Sequence, residues 1–265
     1  MTRSKLPFSP AGASRQGYAR ENNEDCHGIA DEWPGQKDVA NKGYLHVVAD
    51  GMGGHAAGQE ASDLAVRRVL EGYYADPSTD VLQSLKSAIS RASAEVWGAA
   101  SSDLELAGRG TTLVVAVVKG SSLYLANVGD SRAYLVRDGE IRQLTRDHSW
   151  VAEQVRADVL KLEEARRHPF WNVITRSVGA QPDVKADVFL EKLRCGDKVL
   201  LCTDGVSAVL ADRELAGLVA SASSAREGIT AIMNSIGARQ GADDHTALII
   251  AVPGDLVSLR SCPPA

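Results

Sequence analysis

The chain of 265 residues has little of several residue classes that mark common kinds of protein. Its four cysteines form no C-x-x-C pair and no zinc-binding spacing, so we expect free thiols in a reducing compartment. Lys and Arg together number 29 against 34 Asp and Glu, a balance that gives no basic footprint for nucleic acid. No apolar run approaches the roughly 18 residues needed to cross a membrane, so we expect no membrane partner. The cysteines are Cys26, Cys195, Cys202 and Cys262.

The chain also lacks the marks of a divided or exported protein. The opening stretch, MTRSKLPFSPAGAS, has no continuous apolar core of the kind that a secretion signal carries, so we expect a cytoplasmic protein. No internal repeat, low-complexity block or linker divides the sequence, and its 44% hydrophobic and 24% charged residues are ordinary for a globular chain. We therefore predict one domain over residues 1–265, with loose termini at about 1–10 and 254–265.

Apolar patterning predicts strands and helices that come in blocks, which favours an α+β domain with mainly antiparallel sheets. Asp138 and Gly139 lie between two strand halves and predict a type I′ hairpin turn. The predicted strands cover residues 44–50, 111–120, 122–130, 132–144, 197–204 and 246–252. The predicted helices cover residues 57–74, 80–100, 212–220 and 225–239.

A glycine-rich stretch, LHVVADGMGGHAAGQEAS at residues 45–62, lies between a predicted strand and a predicted helix. Residues 51–56 satisfy the dinucleotide fingerprint, but the acid 20 residues on, Glu71, lies inside a helical pattern and not at a strand tip. Residues 53–58 have the P-loop frame, but Gln and Glu follow where Lys and Ser or Thr are needed. Both nucleotide interpretations therefore fail, and Asp50 beside mobile glycine backbone suits a hard metal ion better.

Acidic residues recur at the tips of separate apolar runs. Each one alone has a structural explanation, because Asp is common in turns and at helix N-caps. Converging carboxylates repel one another, however, and persist together when a cation compensates them. Since no cysteine or histidine cluster accompanies them, the expected ion is Mg²⁺ or Mn²⁺ and not zinc. The four acids at such tips are Asp50, Asp130, Asp204 and Asp243, while Glu24 and Asp25 close the polar stretch RENNED before the first sheet region.

At these residues the chain resembles the metal-dependent Ser/Thr protein phosphatases of type 2C, in their bacterial form. Seven segments match the family in order, across roughly residues 14–252. They are SRQGYARENNED (14–25), VVADGMGGHAAGQEAS (47–62), GRGTTLVVAVV (108–118), ANVGDSRAYLVRDGEIRQLTRDHS (126–149), EEARRHPFWNVITRSVG (163–179), GDKVLLCTDG (196–205) and DDHT (243–246).

The resemblance implies a two-sheet antiparallel β-sandwich flanked by antiparallel helix pairs, in α-β-β-α layers. It also implies hydrolysis of phosphoserine and phosphothreonine by a water bridging two Mn²⁺ or Mg²⁺ ions at one edge of the sandwich, with a weaker third ion. The expected partners are phosphorylated proteins and a cognate Ser/Thr kinase, and we expect a monomer. Residues from about 149 to 178 would form a flap beside the site.

The resemblance assigns site roles position by position. Asp50 would bridge both ions, and the Gly51 carbonyl would complete one coordination sphere. Asp204 and Asp243 would hold one ion, while Glu24 would serve the other. The remaining expectations concern Asp25 as a metal-site and catalytic residue behind Glu24, Asp130 as the ligand of the third ion, and Arg20 as the phosphate-binding residue. Arg20, Asp25 and Asp50 are the expected catalytic residues.

Three positions depart from the family pattern. Met52 stands where some relatives carry a histidine proposed as general acid, so a different group must protonate the leaving alcohol. Asp244 stands where Asn is usual and adds a second acid beside Asp243. Ala208, four residues after Asp204, stands where many relatives have an acid near the third ion. That third site is therefore expected to be weak.

Two rival interpretations and three histidines complete the expectations. The chain could be a catalytically weak or inactive relative that binds phosphoproteins, although the intact acids argue against it. It could also be a regulatory phosphatase of the SpoIIE type, which Arg20 and the recognisable flap disfavour. His148 is open to two interpretations, a structural hydrogen bonder or a residue at the rim of the site. His55 and His245 are expected to be structural.

Overall fold

The computed structural model describes residues 8–30, 39–53, 56–102, 109–165 and 167–253. The strands are β1 (Ser9–Arg15), β2 (Asp25–Ile29), β3 (Tyr44–Met52), β4 (Gly110–Thr111), β5 (Leu113–Lys119), β6 (Ser122–Val128), β7 (Arg132–Arg137), β8 (Glu140–Gln143), β9 (Asp187–Lys192), β10 (Lys198–Cys202) and β11 (His245–Ala251). The helices are α1 (Val39–Lys42), α2 (Ala56–Ala75), α3 (Val81–Ser102), α4 (Trp150–Arg156), α5 (Leu162–Ala165), α6 (Asp204–Ser207), α7 (Asp212–Ser221) and α8 (Ala225–Ala238).

The strands form two antiparallel sheets that pack face to face. One sheet has the order β1-β11-β10-β7-β8, and the other has the order β2-β3-β5-β6-β9 with β4 paired to β3. Side chains alternate across each sheet, so in β3 Val48 faces the other sheet while Val47 and Ala49 face outward. The layer between the sheets is a buried cluster that includes Val48, Val114, Leu201 and Leu248.

A pair of helices covers the outer face of each sheet. α2 presents Ala61, Ala65 and Val69 to the β3 sheet at the four-residue spacing of one helix face, and α3 packs beside it. α7 and α8 cover the other sheet with a separate buried cluster that includes Leu215 and Ile232. The α-β-β-α sandwich expected from the resemblance is therefore confirmed. Among the helices described, none combines the length and the apolar character needed to cross a bilayer.

The predicted strands and long helices are present, and the hairpin turn is confirmed. Asp138 and Gly139 have φ angles of 53° and 82°, the positive values that a type I′ turn requires. The structure adds edge strands that the apolar pattern did not indicate, namely β1, β2 and β9. An edge strand is only partly covered, so its sequence need not show strong apolar alternation.

The start of the chain corrects one expectation. Residues 1–10 were expected to be loose, but Ser9 and Pro10 belong to β1 and pair with Ala251 and Ile250 of β11. Phe8 is buried in the layer between the sheets. Proline is tolerated here because β1 is an edge strand with one side free of ladder hydrogen bonds. Residues 1–7 and the expected loose end at 254–265 lie outside the described residues.

One buried titratable group generates a prediction about stability. His46 lies wholly inside the sandwich on β3, opposite Ile29 and Ala116, and burial lowers its pKa to about 4. In the unfolded chain the imidazole takes up a proton near pH 6.5. Lowering the pH from 7 to 5 therefore protonates the unfolded state alone, which removes about 2 kcal/mol of stability.

We expect His46→Leu to remove this loss. Urea unfolding at pH 7 and pH 5 measures the free energy of unfolding for both proteins, and the difference between them isolates His46 from the carboxylates that also titrate. An equal change with pH in wild type and variant would contradict the prediction.

Candidate metal centre

The acids predicted as metal ligands come from strand ends at one edge of the sandwich. Asp25 and Asp50 are directly opposite each other in the β2–β3 register. Asp204 opens α6 immediately after β10, and Asp243 lies in the turn that precedes β11. Because β10 and β11 are paired neighbours, the chain segments carrying Asp204 and Asp243 enter the same edge from the second sheet. Asp130 lies in the connection from β6 to β7, which joins the two sheets.

The electrostatics of Asp50 show that these groups converge. Burial, followed by repulsion from neighbouring carboxylates, raises the pKa of Asp50 well above its ordinary value. Its side chain keeps some surface open to solvent at the sandwich edge, although protein atoms surround it on the other sides. A bound cation would offset the repulsion between these carboxylates directly. The repelling carboxylates, in falling order of effect, are those of Asp25, Asp204, Asp130 and Asp243.

The neighbouring acids respond in the same direction. Burial raises the pKa of Asp25 to about 8, with hydrogen bonds from Thr246 and Thr203 opposing it and other carboxylates adding to it. Burial and then Asp204 raise the pKa of Asp130 to about 7. The pKa of Asp204 is also raised, by burial first and then by Asp243. A set of buried acids that each resist ionisation fits a site completed by a divalent cation.

The donor chemistry of the site fits Mg²⁺ or Mn²⁺. The predicted ligands are carboxylates and one backbone carbonyl, and such all-oxygen sets suit these hard ions. Oδ1 of Asp25 and Oδ1 of Asp130 are buried with no hydrogen-bond partner within the described part of the chain. Buried oxygens of this kind are costly unless a donor or a cation meets them. The residues present therefore fit the metal centre that the sequence predicted.

The carboxylates nevertheless do not form a finished metal cage, although those of Asp204 and Asp50 are close enough to share a hydrogen bond. Among the described residues, no group of three or more Asp, Glu, His or Cys side chains is arranged ready to hold an ion. Arg20 forms an ion pair with Asp243, in which Nε lies 2.7 Å and a terminal nitrogen 2.6 Å from Oδ1. Thr203 donates to Oδ2 of Asp25 at 2.9 Å. Asp243 and Asp25 are therefore each bound to a neighbouring side chain.

Glu24 lies where the glycine-rich stretch meets the start of α2. Its backbone carbonyl accepts hydrogen bonds from the Gly51 N–H (3.1 Å) and from the Ser62 hydroxyl (2.6 Å). A Cβ at Gly58 would stand 2.7 Å from Glu24 Oε2, and a Cβ at Gly51 would overlap the Gly58 carbonyl. The glycines therefore let strand, helix and carboxylate pack at backbone distance, and the stretch is not a cradle for a nucleotide phosphate.

Two threonines that the sequence reasoning did not single out fix Asp50. The Thr112 hydroxyl accepts from the Asp50 N–H at 3.0 Å, and the Thr112 N–H donates to the Asp50 carbonyl at 2.8 Å. The Thr111 hydroxyl donates to the same carbonyl at 2.8 Å. Thr112 also shares a 2.7 Å hydrogen bond with Ser131, beside Asp130. Both threonines belong to the matching segment GRGTTLVVAVV, which was the only signal for them.

Comparison with known proteins agrees with this arrangement. A family model described as Protein phosphatase 2C matches residues 10–155. The chain is 33% identical over 241 residues to the serine/threonine phosphatase stp of Listeria welshimeri, an alignment that covers 89% of this chain and 92% of that protein. The chain belongs to the protein phosphatase 2C family. Its enzymatic activity is that of a serine/threonine protein phosphatase.

Solved structures of other phosphatases have the same fold as this chain. The crystal structure of the Mycobacterium tuberculosis serine/threonine phosphatase PstP/Ppp is similar with a TM-score of 0.82 and 31% identity, covering 93% of this chain and 99% of that one. A structure of the PstP catalytic domain in complex with two manganese ions is similar with a TM-score of 0.79 and 30% identity, covering 93% of this chain and 98% of that one.

Two of the departures from the family pattern have clear surroundings in this phosphatase. Met52 ends β3, and a Cβ at Gly110 of the paired strand β4 would lie 3.8 Å from its terminal methyl group. Ala208 is exposed one helical turn after Asp204, and its N–H donates to the Asp204 carbonyl at 2.7 Å. The segment after β10 therefore forms a helical turn. His55 lies outside the described residues.

Asp244, which the sequence presented only as an extra acid, is a buried backbone clamp. Its Oδ1 accepts from the Gly17 N–H at 2.8 Å and its Oδ2 accepts from the Glu24 N–H at 2.9 Å. A single turn connects Gly17 to Arg20 and is closed by a hydrogen bond from the Arg20 N–H to the Gly17 carbonyl (3.2 Å). Asp244 therefore positions both Glu24 and the segment of Arg20.

This clamp predicts a difference between two variants. Both Asp244→Asn and Asp244→Ala remove one negative charge, so both relieve repulsion equally. Asn keeps one acceptor oxygen, whereas Ala leaves both N–H groups without one, at a cost of roughly 1–3 kcal/mol for each group. We expect Asp244→Ala to unfold at lower urea than Asp244→Asn, and to bind Mn²⁺ more weakly in calorimetry. Equal stability of the two variants would show that the clamp carries no weight.

Proposed function

We propose that this phosphatase removes phosphate from phosphoserine and phosphothreonine in proteins, using a pair of Mn²⁺ or Mg²⁺ ions held at the acid edge of the sandwich. The observation that most supports this proposal is the convergence of acids on Asp50. Burial and the charges of four other carboxylates raise the pKa of Asp50. Structural ion pairs alone do not require so many like charges together. The residues proposed to hold the two ions are Glu24, Asp25, Asp50, Gly51, Asp204 and Asp243.

Two ions of this kind supply a water of lowered pKa and offset the negative charge of the phosphate. The chain itself provides the positioning. Asp50 lies on a strand locked by Thr111 and Thr112, so its carboxylate is fixed before substrate arrives. Asp25, opposite Asp50, is anchored through Oδ2 by Thr203, which leaves Oδ1 able to accept a hydrogen bond from the attacking water.

Arg20 is proposed to bind the substrate phosphate. Its side chain is 44% exposed at the acid edge, and a guanidinium offers planar paired donors that match phosphate oxygens. Its bond to Asp243 also places a positive charge beside the carboxylates, which lowers the barrier to an approaching dianion. Met52 has no exchangeable proton, so the leaving alcohol must take its proton from water or from another group.

The rival interpretations gain no support from the site. An inactive phosphoprotein-binding module would not need the acids at Asp50, Asp204 and Asp243, and all three are present at the sandwich edge. A regulatory phosphatase of the SpoIIE type is disfavoured by Arg20 and by the flap, in which Ser149 and Ile174 form a bridge. We further propose a monomer that acts in the cytoplasm on proteins phosphorylated by a cognate Ser/Thr kinase.

The proposed metal chemistry is tested by Asp204→Asn. This variant removes one charged ligand but also relieves repulsion, so we expect lost hydrolysis of a phosphothreonine peptide, weaker Mn²⁺ binding and an unchanged or higher melting temperature without metal. A phosphotyrosine peptide serves as the substrate control, and calorimetric titration with Mn²⁺ measures the ligand role directly. Undiminished turnover by Asp204→Asn would overturn the assignment.

Ala208 generates a prediction about the weaker third ion. Asp130 and Asp204 offer it two carboxylates, with water in the remaining positions, which is typical of an exchangeable site. Position 208 follows Asp204 by one helical turn, so an acid there lies on the same face. We expect Ala208→Asp to lower the Mn²⁺ concentration for half-maximal rate, measured against Ala208→Asn as the uncharged control. A shift to higher Mn²⁺, or none, would place Ala208 away from the metal.

A further inference from the structure

His148 occupies a buried position between the turn that carries Asp130 and the base of the flap. Its backbone N–H donates to the Gly129 carbonyl at 3.0 Å, and the Gly129 N–H donates back to Nδ1 of the ring at 3.1 Å. Only 2% of the residue is exposed, so water does not compete for these bonds. The reciprocal pair locks the imidazole onto the residue that immediately precedes Asp130.

The Gly129 turn has few other means of keeping its shape. Gly129 has a φ of 98°, a conformation that favours glycine, and a Cβ there would stand 2.6 Å from Thr112 Cβ. The Asn127 side-chain amide donates to the Gly129 carbonyl at 3.2 Å. The Gly129 N–H donates, within the described residues, to the His148 ring. The ring therefore accepts a hydrogen bond from the backbone N–H of the residue that precedes Asp130, which adds to the Thr112–Ser131 bond on the other side of Asp130.

The other ring nitrogen of His148 faces Asp187, the first residue of β9, and Arg176 of the flap. Because Nδ1 accepts a hydrogen bond, the neutral ring carries its proton on Nε2. Nε2 lies 3.3 Å from Oδ2 of Asp187. Arg176 also lies 3.2 Å from Nε2, and its charge is met by Oδ1 of Asp187 at 2.9 Å. Burial and then the charge of Arg176 lower the pKa of His148, which agrees with a neutral ring.

Backbone bonds bring both ends of the flap to the same histidine. The Thr175 N–H donates to the His148 carbonyl at 2.8 Å, and Ser149 forms an isolated bridge with Ile174. The Trp150 N–H donates to the Val173 carbonyl at 2.8 Å. One residue thus contacts the segment that enters the flap, the segment that leaves it, and the turn of Asp130.

We propose that His148 is a positioning residue that holds Asp130 in place for its metal ion through Nδ1 while tying that turn to the base of the flap through Nε2. This inference rests on the proposed role of Asp130 as a metal ligand. It assigns His148 a place in the machinery of the site that neither a rim residue nor a simple core hydrogen bonder would have.

Two variants of the full chain separate the contact made by Nδ1 from the contact made by Nε2. In His148→Asn the short side-chain carbonyl replaces Nδ1 and can still accept from Gly129, but nothing reaches Asp187. In His148→Gln the longer amide can donate to Asp187 from the place of Nε2, but the Gly129 N–H loses its acceptor. Asp130→Asn identifies which Mn²⁺ site belongs to Asp130, and Asp187→Ala breaks the flap arm without touching His148.

Mn²⁺ binding by calorimetry and amide hydrogen exchange are the readouts, and neither depends on catalysis. We expect His148→Gln to weaken the site that Asp130→Asn removes by roughly tenfold or more, as loss of a supporting residue does, while the tighter sites keep their affinity. We expect His148→Asn to keep that affinity, and both His148→Asn and Asp187→Ala to speed exchange at the Thr175 and Trp150 amides.

The outcomes distinguish the positioning role of His148 from the proposed metal role of Asp130, on which it rests. If Asp130→Asn leaves every Mn²⁺ site intact, the proposed metal role of Asp130 fails, and the role of His148 fails with it. If Asp130→Asn removes a site that His148→Gln leaves unchanged, or that Gln and Asn weaken equally, the positioning role alone is overturned. Unchanged exchange at Thr175 in Asp187→Ala would overturn the link to the flap, and this variant keeps the test available should a His148 variant not fold.

Discussion

Repulsion among buried carboxylates at one edge of the sandwich is the constraint on which the rest of this structure depends. Burial and neighbouring negative charges both raise the pKa of Asp50, so the folded chain must hold the acids against a force that separates them. It does so with neutral donors and acceptors, of which Thr112 at the Asp50 backbone and Thr203 at the Asp25 carboxylate are examples. The first contact fixes the backbone at Asp50, and the second fixes one carboxylate oxygen of Asp25.

The same edge is built at backbone distance, which limits how far the acids can move. A Cβ at Gly17 would overlap the backbone of Asp243, and a Cβ at Gly205 would overlap the Asp244 carbonyl. Close backbone packing of this kind excludes most side chains and leaves few alternative conformations. The glycines around the acids therefore contribute rigidity to the site, and their role is not to supply flexibility.

The parts of the fold that could be predicted are the buried elements, because burial gives their local sequence an apolar pattern. β5, with the sequence LVVAVVK, is almost wholly buried and has an unmistakable apolar run, whereas edge strand β1, with the sequence SPAGASR, has none. The acids could be found because each follows an apolar run or a matching segment. The role of Asp244 could not, because its contact with Gly17 joins residues 227 positions apart. A local pattern carries no record of such a pairing, so only the assembled sandwich reveals it.

The site draws on both sheets, and this division explains why its third ligand needs an anchor of its own. Asp25 and Asp50 belong to one sheet, whereas Asp204 follows β10 and Asp243 precedes β11 in the other, so packing between the sheets sets the distance between these pairs.

Asp130 belongs to neither sheet, because it lies in the connection that crosses from β6 to β7. No strand ladder fixes a residue in such a crossing. A buried side chain must then supply what the ladder supplies elsewhere, and His148, bonded to Gly129 from the segment that follows β8, is placed to do so. Since that segment continues directly into the flap, the geometry of the crossing and the attachment of the flap share one set of bonds.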